Sequence, residues 1–190
     1  MTEPTTPIRV PAGATPEGDA VVIGAGQVRV DAFIDFLCPF CRRFELAAQP
    51  VLAQLTADGQ ASVAYHPMNF LDEASTTNYS TRAAAASGCA ADQGRFVDFA
   101  HALFVNQPPE GGPGLSDAEL AGLGQNAGLD AARFAACLSE GPYLGWPAYV
   151  TARAIAAGVE ATPTVLVAGV PVTAEAPAIA AAVARANAAR

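Results

Sequence analysis

The order of apolar patterns along this 190-residue chain predicts an α/β fold, one domain interrupted by an all-helical insertion. Three observations carry that expectation. Residues 27–36, QVRVDAFIDF, are β-branched and aromatic and read as a buried strand. A helical stretch to Gly59 and a short strand at 61–65 follow, giving a strand–helix–strand unit that the crossover rule makes parallel and right-handed. From about residue 71 to 158 no strand pattern occurs; strand character then returns at 164–168 and 170–173, a hairpin spacing, before an alanine-rich helix over 175–188. The expected organisation is an extended N-terminal arm at 1–19, a mixed domain built from 20–70 and 159–190, and a helical insertion at 71–158.

Each element has a local reason. Residues 1–19 hold prolines and no apolar period, and a short strand is expected at 20–23. The first long helix opens at Cys38-Pro39 and places Phe44, Val51, Leu52 and Leu55 at apolar positions. Pro50 is expected to kink it by removing a donor and crowding the preceding turn. Ser75, Thr76 and Thr77 offer caps for a helix through Ala91. Phe96, Phe99, Leu103 and Phe104 give one apolar face to a helix over 95–105, and NQPPEGGPG at 106–114 is a loop. Ser116 with Glu119 is a capping-box pattern for a helix to about Ala127, and Asp130 caps the next through Leu138. Gly141-Pro142 breaks the chain, and 143–157 is expected to be helical around a bend at Pro147.

Composition excludes several function classes. Hydrophobic residues make up 52% of the chain, charged ones 15%, and the formal net charge is −8. All ten basic residues are arginine and alanine occurs 44 times, a bias of GC-rich coding that also favours helix. An acidic chain without basic clusters has no electrostatic footprint for nucleic acid or anionic lipid. No stretch approaches the roughly 20 apolar residues of a membrane helix. Neither a nucleic-acid partner nor membrane insertion is expected. The first 15 residues lack a basic n-region and an apolar h-region, so the chain as written is expected to be cytoplasmic, and extracytoplasmic if a leader has been trimmed from it.

The chemistry concentrates at Cys38-Pro39-Phe40-Cys41. Cys38 falls between a strand and a helix, where the free amides of the first turn, such as those of Phe40 and Cys41, and the positive end of the helix dipole favour thiolate over thiol. Cys38 is thus the expected attacking sulfur, with a lowered pKa, and Cys41, one turn in, the resolving one. Pro39 suits the first helical position, where its missing donor costs nothing. A C-x-x-C is also half of a zinc site, but zinc wants four ligands, and His66, His101, Cys89 and Cys137 include no second short-spaced pair. No metal and no organic cofactor are expected. Thr162-Pro163-Thr164 is the second informative site, a proline at the first residue of a strand.

F-x-D-x-x-C-P-F-C, a long helical block containing CAADQGRFVDFAHALFVNQP and SDAELAGLGQNAGLDAARFAACL, and G-V-E-A-T-P-T-V-L-V near the C-terminus together resemble the thioredoxin superfamily. More specifically they resemble its DsbA-like branch, a thioredoxin fold with an inserted helical domain, over about residues 27–188. The resemblance implies a thiol–disulfide oxidoreductase. It also makes Thr162–Pro163 a cis-proline loop against the active-site sulfurs, where the Thr162 backbone pairs with an extended substrate and Pro163 keeps metal away. Two departures stand out. The acid usual six positions before the first cysteine is replaced by Ala32, so the resolving thiol lacks its usual proton acceptor; Asp31 and Asp35 lie on the opposite face by strand alternation. Phe40 stands where the strongest oxidants of the branch carry histidine, so a less oxidising pair is expected. Asp35 reads equally as a polar strand end, a cap near Cys38 or an active group.

Cys89 and Cys137 each fall in a helix of the insertion. They read as a disulfide, as two buried thiols or as a relay for Cys38–Cys41; the disulfide is favoured because both helices share one small bundle and no other cysteines remain. Arg42 and Arg43 are expected to be solvated, His66 and His101 to be core or surface residues, and Trp146 with Tyr149 to pack the core. The expected activity is thiol–disulfide exchange through Cys38 and Cys41 with protein or small-thiol substrates and a redox partner that resets the pair. A cytosolic disulfide reductase and a peptide-binding module with a structural disulfide are the rival readings.

Overall fold

A computed structural model describes residues 9–190; the first eight residues, with that part of the expected arm and of the leader reading, lie outside the described residues. Five strands form one sheet: β1 (Val21–Ile23), β2 (Val28–Ile34), β3 (Ala61–Pro67), β4 (Thr164–Val167) and β5 (Val170–Val172), in the order β1-β3-β2-β4-β5. β2 and β3 run parallel, with Val28 opposite Ala61 and Ile34 opposite Pro67, and the other pairings are antiparallel. The parallel pair is joined by α1 (Pro39–Ala57). Five helices separate β3 from β4: α2 (Tyr79–Ala91), α3 (Phe96–Val105), α4 (Asp117–Asn126), α5 (Ala131–Glu140) and α6 (Trp146–Ala156). The last helix, α7 (Ala176–Ala188), packs on β2 and β4.

β2 is central and buried on both faces: Val30, Ala32 and Ile34 in one alternating set, Asp31 and Phe33 in the other. It stops at Ile34, two residues before the sequence reading placed its end. The Asp35 carboxylate takes the Leu37 amide at 2.9 Å, and the Asp35 carbonyl takes the Cys38 amide at 3.1 Å. That side-chain-to-backbone turn competes with the ladder and wins, so the chain turns toward α1.

The capping box at α4 forms as expected, with Ser116 Oγ accepting from the Glu119 amide and Glu119 accepting from the Ser116 amide. Asp130 accepts from the Arg133 amide at the start of α5. Three local expectations are corrected. Helix α2 begins at Tyr79 behind a left-handed Asn78 (φ 51°), and Ser75 reaches it only through the Tyr79 amide, because Ser75 bonds back to the Asp72 carbonyl while Thr76 and Thr77 bond to Gly112 and Pro113 of the loop. Pro147 bends nothing: it sits in the first turn of α6, where a proline lacks no needed donor. Residues 9–19 are turned rather than extended. Ala14 pairs with Val21, Trp146 Nε1 donates to the Gly18 carbonyl at 2.8 Å, and the Tyr149 hydroxyl donates to the Glu17 carbonyl at 2.7 Å. Helix α1 continues through Pro50 as one element of 19 residues.

The core is continuous from sheet to helices. Tyr79, Phe99, Phe104, Phe134 and Trp146 are fully buried, and Phe36 packs on Phe104 with ring centroids 5.1 Å apart. Gly88 of α2 lies under the Tyr143 ring, where a Cβ would stand 3.0 Å from ring carbons. Cys89 and Cys137 are joined by a disulfide linking α2 to α5.

Candidate active site

Cys38 is the N-cap of α1, in extended conformation (φ −71°, ψ 118°), with Pro39 as the first helical residue. Both Cys38 and Cys41 are free thiols; Cys38 is 4% exposed and Cys41 fully buried. The Cys38 thiol is pulled down to about 6, chiefly by a hydrogen bond from the Cys41 thiol, against the opposing effect of burial. Hydrogen bonding by Thr162 and by the Cys41 and Phe40 amides adds to the fall. Cys41 goes the other way: burial first, then the neighbouring Cys38 sulfur, push it well above an ordinary thiol. One sulfur is held ionised and its partner protonated, the division of labour that exchange needs.

The Thr162–Pro163 peptide bond is cis, and Cys38 Sγ meets the Thr162 carbonyl at 3.4 Å. Two hollows flank this point. One, of about 390 Å³, is lined by Cys38, Pro39, Phe40, Phe70, Leu71, Ala161 and Thr162, with Glu110 and Glu160 also on its wall. The other, of about 630 Å³, is lined by Phe40, Arg43, Phe44, Pro163 and Pro177 among others. Phe40 projects between them, 58% exposed, with the Arg43 guanidinium 5.1 Å over its ring. Phe40, Phe70 and Leu71 give the hollow that holds Cys38 an apolar wall, with Glu110 and Glu160 beside it.

The remaining sequence candidates fall as follows. Ala32 is fully buried opposite Tyr65 and Val165, so a methyl group fills the place of the usual acid. Asp31 is tied to Arg29 at 2.6 Å and to His66 Nε2 at 3.0 Å, and His66 stacks on Phe33 at 4.1 Å, a structural cluster. Arg42 donates to the Phe104 carbonyl at 3.0 Å. His101 lies 3.7 Å from the buried Glu45. Among the described residues no three His, Cys, Asp or Glu side chains gather as a metal would require, and no helix is long and apolar enough to cross a membrane.

Two contributors escaped the sequence reading. Gln107, from the 106–114 loop, donates to the carbonyls of Phe36 (2.9 Å) and Cys38 (3.0 Å) and clamps the turn that presents the cysteines. Its contacts lie 69 and 71 residues away, and no local pattern carries them. Ser80 of α2 donates to the Asp35 carboxylate at 2.6 Å and brings the helical insertion against the active-site turn.

A family model described as thioredoxin matches residues 17–182, a span that includes both cysteines and Pro163. The chain belongs to the thioredoxin family. Among solved structures, this thioredoxin-family chain is similar to DsbA from Mycobacterium tuberculosis at 32% identity, covering 88% of this chain and 99% of that one with a TM-score of 0.72. It is likewise similar to the disulfide bond oxidoreductase DsbG of the same organism, at 36% identity over 83% and 81% of the two chains, TM-score 0.72. It is also 38% identical over 136 residues to the serine/threonine-protein kinase PknE of Mycobacterium tuberculosis, 67% of this chain but 24% of the kinase. The chain thus spans about a quarter of the length of that curated relative. These structural neighbours are DsbA- and DsbG-type proteins, and the span matched by the family model holds the Cys38–Cys41 pair.

Proposed function

We propose that the chain exchanges disulfides with cysteine-bearing polypeptide segments that lie extended beside Thr162. Cys38 forms the mixed disulfide, Cys41 resolves it, and a separate redox protein resets the pair. The observation that carries this reading is the asymmetry of the two sulfurs, one pulled down to about 6 at a helix start and the other pushed up in the core. The apolar walls beside Cys38 and the exposed Phe40 favour polypeptide over a small polar thiol.

Trapping tests it. With Cys41→Ser, a cysteine peptide activated as its mixed disulfide with an aromatic thiol should be attacked by the Cys38 thiolate, release the aromatic thiolate and accumulate as a mixed disulfide on Cys38, seen by mass. Cys38→Ser should abolish both insulin reduction and dithiol-peptide oxidation; unchanged rates in that variant would end the proposal. The Cys89–Cys137 disulfide supports work in an oxidising compartment, where such bonds persist. Acid-quenched alkylation of cells should then find that pair oxidised; finding it reduced would count for the cytoplasm.

A further inference from the structure

Asp35 touches both halves of the reactive pair. Its carbonyl takes the Cys38 amide at 3.1 Å, and its own amide donates to Cys41 Sγ at 3.4 Å. Its carboxylate is fully buried and accepts three hydrogen bonds, from the Leu37 amide (2.9 Å), the Leu71 amide (3.0 Å) and the Ser80 hydroxyl (2.6 Å). All three donors are neutral, and among the described residues no arginine or histidine forms an ion pair with it. The carboxylate thus rests on neutral donors alone, in the turn whose backbone bonds to both cysteines.

We propose that Asp35 is a positioning residue that sets the redox poise of the pair, its buried carboxylate opposing the thiolate on Cys38 and so restraining the chain's oxidising power. The chemistry fixes the sign. When a client dithiol reduces the pair, a client thiolate attacks Cys38 Sγ, the Cys38–Cys41 bond breaks and Cys41 leaves and takes a proton. A second client thiolate then displaces Cys38, which leaves as thiolate, while the client gains the disulfide and the second proton goes to water. A negative charge beside that departing thiolate disfavours the reduced enzyme.

The electrostatics agree with the geometry. Burial raises Asp35 to about 6, the Ser80, Leu37 and Leu71 hydrogen bonds oppose the rise, and Cys38 adds to it. The titratable groups facing Asp35 are Cys38 at the N-cap of α1, Cys41 within α1 and Tyr79 from α2, whose phenol is pushed up chiefly by burial and in part by Asp35. Asp35 and Cys38 therefore titrate as a coupled pair.

Asp35→Asn removes the charge and keeps most of the shape. The Cys38 thiol, followed by thiolate absorbance and by iodoacetamide rate, should then titrate about one unit lower, and the glutathione equilibrium should shift about tenfold toward reduced protein. A variant that melts earlier but leaves Cys38 where it was, or raises it, overturns the proposal and leaves Asp35 a turn former. The wild-type protein gives a test that needs no variant. The ¹³C resonance of the Asp35 carboxyl should titrate higher in the reduced than in the oxidised form, and equal values in both forms also overturn it. The carboxyl titration stands whether or not Cys38 reacts with polypeptide clients, so failure of the exchange reading and failure of this one are told apart.

Discussion

At the residue scale the site is two sulfurs in opposite environments. Because the Cys38 thiol is held at about 6, its iodoacetamide rate in the reduced protein should rise with an inflection near that pH and level off above it. An inflection near the ordinary thiol value of about 8.5 would remove the argument for Cys38 as attacking sulfur. The same depression is a stability term. The folded pKa lies below the unfolded one, so the contribution is fully present above the unfolded thiol pKa and is lost as pH falls through about 6. Reduced protein should therefore lose its stability lead over Cys38→Ser between about pH 9 and pH 6, as denaturant titrations at several pH values would show. Cys38, Pro39 and Cys41 were legible in the sequence because their chemistry depends on one strand-to-helix junction. Ser80 and Gln107 were not, because the contacts that give them a role span 45 to 71 residues; Asp35 was placed beside Cys38 but left without one role, because its carboxylate's partners at Leu71 and Ser80 lie 36 and 45 residues away.

At the element scale, two seams carry testable strain. Glu45 of α1 is buried against α3, and burial raises it to about 7. For a carboxyl whose folded pKa is raised, the stability contribution is present below the unfolded pKa and lost as pH rises through the folded one. Glu45→Gln should accordingly raise the melting temperature at pH 8, with the gain shrinking toward pH 5; a gain independent of pH would assign the effect to packing. Between α4 and α5, a Cβ on Gly124 would stand 2.4 Å from the ring of the fully buried Phe134. Gly124→Ala should cost about 1–3 kcal/mol in urea unfolding despite alanine's better helix propensity. Elements were readable wherever the signal was local, as with the S-x-x-E box and the Asp130 cap. They were misread at α2, where residues 75–77 read as caps but the loop at Gly112 and Pro113 takes Thr76 and Thr77, and at α6, where Pro147 read as a bend but lies in the first turn.

At the scale of the whole molecule, the helical insertion is bound to the sheet domain by the active-site turn itself: Ser80 bonds to Asp35, and Gln107 to Phe36 and Cys38. Helix α2 carries both Ser80 and Cys89, so the Cys89–Cys137 disulfide braces the element that leans on the site without reaching the reactive sulfurs. It closes a separation of 48 residues, for which loop entropy gives about 4 kcal/mol of stabilisation. A Cys89→Ala/Cys137→Ala variant should lose about 2–4 kcal/mol in denaturant unfolding. It should keep the iodoacetamide rate of Cys38 in the folded state, since α2 is also held by Tyr79, Phe99 and Tyr143 packing in the core. The alternative role, a relay taking electrons from Cys38–Cys41 and handing them to an external disulfide, makes the opposite forecast: little loss of stability and a slowed reset of the pair by that disulfide. Stability and reset rate measured on the same preparation separate the two, and a slowed reset in a variant as stable as the parent would turn the brace into a second redox centre.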